Sequence, residues 1–135
     1  MVENPKNSFA VDTVWDDFEG DAELICEVIE VLVRELPQWV QSLEELAHHG
    51  DVVGVARAAH KISGGVGTMA AGPLLTVIGA IEADTRAGDW SAMRGRCRQL
   101  QVEQVALVDD LNQWSRELRS AGATAPASMD GDPTS

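Results

Sequence analysis

The run Ala58-Ala59-His60-Lys61-Ile62-Ser63-Gly64-Gly65 sets one imidazole beside a hydrophobic stripe instead of on it. Apolar or small residues recur at Val52, Val55, Ala59, Ile62, Val66 and Met69. Their spacings alternate between three and four, which predicts a helix with one buried face. His60 follows a stripe position, so it points about 100° away from that face, toward solvent. Gly64 stands one turn further on, on the same side, with no side chain. An exposed imidazole next to a bare patch of helix can be approached closely by another macromolecule. Imidazole in water titrates near pH ~6.5, so a large share of it is neutral and nucleophilic at neutral pH. The chemistry this points to is attack by a ring nitrogen on an electrophile that a partner delivers.

Candidate helpers follow from counting outward from the next turn. If the chain reverses near Ala71, residues equidistant from it share a height, and Glu82 then stands level with His60. Arg86 lies one turn beyond, level with Ala56 and Arg57. On the histidine's own helix Arg57 and Lys61 flank it, and Ser63 sits one turn above. A carboxylate at one ring nitrogen would set the tautomer and leave the other nitrogen to attack. Arg57, Lys61 and Arg86 could offset the charge of a phosphoryl group carried there. The expected site is therefore His60 as acceptor, with Arg57, Lys61, Ser63, Gly64, Gly67, Glu82 and Arg86 around it.

The elements that must hold these residues are helices. Positions 11–18 suit a short helix with Val14, Trp15 and Phe18 on one side. From Asp21 a helical period runs through Leu24, Val28, Val31, Leu32, Leu36, Trp39, Leu43 and Leu46 to His48, with Pro37 predicting a kink or two abutting helices. Gly50-Asp51 reads as a stop and a cap before the helix of His60, expected to end near Met69. Gly72-Pro73 starts the next helix, with proline at the first position, and Gly88 ends it. Asp89 caps the last, whose stripe is Met93, Cys97, Leu100, Leu107, Leu111, Trp114 and Leu118, interrupted by Gln104. Interior glycines cost up to about 1 kcal/mol each relative to alanine, so Gly54, Gly64, Gly65 and Gly67 are expected to serve close approach. The pattern predicts an all-α, antiparallel up-and-down four-helix bundle over 11–121 with a short extra N-terminal helix. A flexible arm (1–10) precedes it and a disordered tail (122–135) follows.

Composition narrows the partners. The 135 residues include 22 acidic and 10 basic side chains, a net charge of −12. Such a surface repels nucleic acid and anionic membranes. No apolar run follows Met1, so no signal peptide is expected, and a cytoplasmic, monomeric protein is. Cys26 and Cys97 are expected as free thiols. Adjacent His48 and His49 diverge by about 100° on a helix, so no metal site is expected. The glycines after His60 lack the order GxxxxGK[ST] of a phosphate loop. Trp15, Trp39, Trp90 and Trp114 are read as core or bundle-end plugs.

The stretch around His60 resembles the histidine-containing phosphotransfer (HPt) domain family, whose pattern is roughly A-H-x-L-K-G, a small pair, a hydrophobe, G-A and a leucine. Ala59, His60, Ile62, Gly64 and Gly65 match or substitute conservatively. Met69, Ala70, Ala71 and Leu74 fall at the hydrophobe, glycine, alanine and leucine. A later family stretch, L-E-x-x-x-R-x-G-D, is similar to residues 81–89, with Glu82, Arg86, Gly88 and Asp89 in place. The chain departs from the family at Ser63, where a lysine is usual. The resemblance implies a phosphorelay phosphocarrier, not an enzyme. In that role His60 accepts a phosphoryl group from a receiver-domain aspartyl phosphate and passes it to another receiver. The implied partners are response-regulator receivers and a hybrid sensor histidine kinase, with no cofactor of its own and magnesium only on the receiver. Two alternatives are an HPt-like interaction module that is not phosphorylated, favoured by Ser63, and the phosphoacceptor domain of a kinase acting in trans.

Overall fold

The computed structural model describes residues 8–121. Five helices follow one another: α1 (Val11–Asp17), α2 (Ala22–His48), α3 (Val52–Gly67), α4 (Gly72–Ala87) and α5 (Trp90–Ser120), with no strand among the described residues. α2 packs on α3 and α5, and α4 packs on the same two, so the long helices close a ring around one core. Each contributes one stripe: Ile25, Ile29, Leu36 and Leu43 from α2, Ile62 and Val66 from α3, Leu74, Ile78 and Ile81 from α4, and Leu100, Leu107 and Leu111 from α5 are all buried. Gln104 is buried among them, as the polar break in the stripe.

Caps mark the boundaries that the sequence suggested. Asp21, Asp51 and Asp89 each accept a hydrogen bond from the backbone N–H three residues on, at 3.1, 2.8 and 3.1 Å. Gly88 closes α4 in the left-handed region, at φ 73°. α3 ends at Gly67, two residues before Met69, and α4 begins at Gly72, which puts Pro73 at its second position rather than its first. Pro37 lies inside a single helix, so the two-helix alternative does not hold.

One correction falls on the N-terminal arm. Ser8 and Phe9 are buried. Phe9 packs against Trp114 with ring centroids 5.4 Å apart, and the Ser8 hydroxyl donates to Asp110 at 2.6 Å. The apolar payload of one aromatic residue outside the helical period explains why patterning assigned it to the arm. Residues 1–7 and the whole expected tail lie outside the described residues.

Cys26 and Cys97 are free thiols. Burial pushes the Cys97 thiol up from its ordinary range, the Glu44 carboxylate adds to this, and Arg98 opposes it. Cys97 therefore lacks the thiolate character of a reactive cysteine.

The turn between α3 and α4 holds Ala70 at φ 50°, where the resembled family pattern has glycine. A Cβ in the left-handed region costs roughly 1–2 kcal/mol. Ala70→Gly is therefore expected to stabilise the fold by up to about 1 kcal/mol after the entropy lost by glycine is counted. Urea denaturation checks this; a lower midpoint would show that the turn is not strained.

Candidate functional site

α3 is anchored along its whole length. Val55, Ala59, Ile62 and Val66 are fully buried against the neighbouring helices. His60 is exposed, about 130° around the helix from the centre of that stripe. Among the described residues its ring makes no hydrogen bond or ion pair. A helix this firmly packed offers the imidazole on a rigid support without enclosing it.

The four glycines of α3 divide into two kinds. A Cβ at Gly65 would stand 2.7 Å from Cζ3 of Trp39 and 3.3 Å from Leu32, and one at Gly54 would stand 2.8 Å from Leu46. These two let α2 lie close. A Cβ at Gly64 or Gly67 would meet nothing within 4 Å, and both positions are exposed. Close packing within the molecule does not account for these two. They leave bare backbone on the side that carries His60.

The basic residues also separate. Lys61 turns toward α2, where its ammonium lies 5.4 Å from the centroid of Trp39, within cation–π range. Arg57 and Lys61 line a cleft of about 400 Å³ between α2 and α3, floored by Trp39, Leu46 and Ala58. On α4, Asp84 pairs with Arg96 of α5 at 3.2 Å. Glu82 and Arg86 each lie about 200° around α4 from Asp84, on the flank toward α3. Glu82 is half-buried, Arg86 is exposed and Ser63 is half-buried.

The expected carboxylate at the imidazole is therefore not formed: among the described residues no hydrogen bond joins Glu82 to His60. The expected convergence of cations is likewise incomplete, because the Trp39 face holds Lys61 on the α2 side. Arg86 and Glu82 are the members of the set that α4 carries on the α3 flank. Sequence reasoning placed Trp39 among the plugs and missed its role as a wall of the α2–α3 cleft. The signal was a large residue opposite a glycine, readable only once the register of α2 against α3 is known.

The other two histidines differ in setting. His49 lies just past the end of α2, and its Nδ1 is 2.8 Å from the Glu45 carbonyl, to which it can only donate. Its ring stands edge-on to that of His48 at 5.6 Å. Among the described residues no three His, Cys, Asp or Glu side chains group closely enough to hold a metal ion.

A family model, the Hpt domain, matches residues 27–120, from the first half of α2 to the end of α5. The chain belongs to the Hpt domain family. Hpt domains are the histidine phosphotransfer modules of two-component phosphorelays, phosphocarriers that interact with receiver domains and kinases. Neither the curated proteins nor the solved structures gave a match. The Hpt match contains all three histidines and leaves α1 outside. No helix among the described residues is long and apolar enough to cross a membrane.

Proposed function

We propose that His60 is the phosphoacceptor of this Hpt domain. The observation that carries the reading is an exposed, unbonded imidazole in the middle of a firmly packed helix, beside glycines whose missing side chains serve no internal contact. A receiver can bring an aspartyl phosphate against such a surface. The lone pair of a neutral ring nitrogen forms the N–P bond while the P–O bond to the aspartate breaks. The carboxylate leaves with the electron pair, and the ring's other N–H releases a proton to solvent as needed. A second receiver takes the phosphoryl group by the reverse steps. This chain supplies the nucleophile and its support; a magnesium ion, where one takes part, belongs to the receiver.

The short connections and the ring of contacts support an antiparallel up-and-down bundle. In the proposed role a hybrid sensor histidine kinase acts upstream, and the compartment is the cytoplasm. The acidic exterior favours a monomer. We assign Arg86 and Arg57, both exposed, to meet the phosphoryl charge, with Glu82 on the same flank of α4 as Arg86.

The deciding experiment is incubation with a phosphorylated receiver, reading acid-labile, alkali-stable label on this protein. Tight binding without any label would instead favour the interaction module, the reading that Ser63 supports. Ser63→Lys is expected to speed transfer about three- to tenfold by adding a cation one turn from the ring, an interaction of ~1 kcal/mol. Rapid-quench kinetics measure this, and an unchanged rate would mean that Arg57 and Arg86 already serve.

A further inference from the structure

We infer that Lys61 is a movable cation: it rests on Trp39 while His60 is unmodified and turns to the phosphoryl group once His60 carries one, baring the Trp39 ring in the α2–α3 cleft. The inference rests on the His60 reading. It adds a residue to the site and a change on α2 that follows the state of the histidine.

The contact between Lys61 and Trp39 is fixed on one side only. Trp39 is half-buried, and its ring lies so close over Gly65 that a Cβ there would stand 2.7 Å from Cζ3. The indole is thus wedged between α2 and α3. Lys61 is exposed, and its ammonium lies 5.4 Å from the ring centroid. Among the described residues Lys61 forms no ion pair. Its resting place is one cation–π contact at an exposed site, the weak class of such contacts. Lysine carries a compact charge on a flexible four-carbon stem, so it can leave without any change in the backbone.

A phosphoryl group on His60 changes what lies within reach. As on other side chains, it brings about −1.5 to −2 charge and three strong acceptor oxygens, here to the residue next to Lys61. Hydrogen bonds from an ammonium to phosphate oxygens are charge-assisted and outweigh one exposed cation–π contact. Position 63, where a lysine is usual in the Hpt pattern, holds Ser63 and offers no charge. Neighbours along a helix diverge by about 100°, so Lys61 reaches the group only by swinging around the outer face of α3. Gly64 stands between the two on that face, about 40° from His60 and about 60° from Lys61. Its missing side chain leaves the path open, since a Cβ there would meet nothing within 4 Å. Departure of Lys61 uncovers the indole in the cleft that it lines with Leu46 and Ala58.

The test uses phosphoramidate, a small donor that needs no receiver: its P–N bond breaks, ammonia leaves, and the N–P bond to the ring forms. In isotope-labelled full-length protein the indole N–H resonance of Trp39, identified through Trp39→Phe, should move on phosphorylation while those of Trp15, Trp90 and Trp114 stay. In phosphorylated Lys61→Gln the Trp39 resonance should stay as well. In Lys61→Arg, which keeps the charge and stacks on an aromatic face, it should move again. A phosphorus titration gives a second readout. The last proton of the phosphoryl group should leave at lower pH in wild type than in Lys61→Gln, because a nearby cation favours the dianion. A Trp39 resonance that stays in place in phosphorylated wild type would overturn the inference. So would an equal movement in Lys61→Gln, which is the direct effect of the phosphoryl group, or the same titration in both proteins. Label that is absent from wild type, or that survives in His60→Gln, fails the His60 assignment instead of the lysine's movement alone.

Discussion

His60→Gln is expected to reduce acid-labile label from a phosphorylated receiver to background while the protein remains folded. Glutamine keeps the polarity and much of the size of the ring but has no nitrogen lone pair able to form a stable N–P bond. The ring is exposed and unbonded, so its loss removes no packing and leaves no orphaned partner, and surface changes of this kind fall within about 0.5 kcal/mol. Circular dichroism should be unchanged. His48→Gln, at the last residue of α2, and His49→Gln, just past it, should keep the label in full. Label that survives in His60→Gln and vanishes in either of the others would move the acceptor to the end of α2.

Two neighbouring glycines give the second large effect, in opposite senses. Gly64→Leu should stabilise the fold by up to about 1 kcal/mol, because leucine is the better helix former and its Cβ meets nothing within 4 Å. The same side chain would project one turn from His60 where a partner must come within bonding distance, and misplacement by even 1 Å can cost about a hundredfold in rate. Receiver-dependent transfer should therefore fall by that order while labelling by phosphoramidate continues. Gly65→Leu should do the reverse in stability. Its Cβ would overlap the Trp39 ring at 2.7 Å, and overpacking costs about 1–3 kcal/mol or more. Urea midpoints and transfer rates on the two variants check both statements. Normal transfer by Gly64→Leu would remove the case for a docking surface at that glycine.

The helices were legible because each long one repeats its apolar residues at three and four, and aspartate or glycine punctuates their ends. Capping chemistry is local, so Asp51 and Asp89 could be assigned without a tertiary neighbour. Phe9 was not legible, since it stands alone before the first period and only the position of Trp114 makes it core. Ala70 was not legible either: its backbone is left-handed, at φ 50°, and an alanine carries no signal of that.

For the site, the sequence by itself determined that His60 is a mid-helix imidazole outside the buried stripe, because helical geometry fixes about 100° per residue and the spacing of residues then gives each its face. It also determined that glycines flank the histidine, since their spacing is plain in the chain. Which glycines serve the fold and which lie open was decided by the tertiary structure, through the seating of Trp39 against Gly65. That same ring holds Lys61 on the α2 side, and Arg96 claims Asp84. Both partners come from other helices, and contacts between helices depend on register and crossing, which no periodicity within one helix records.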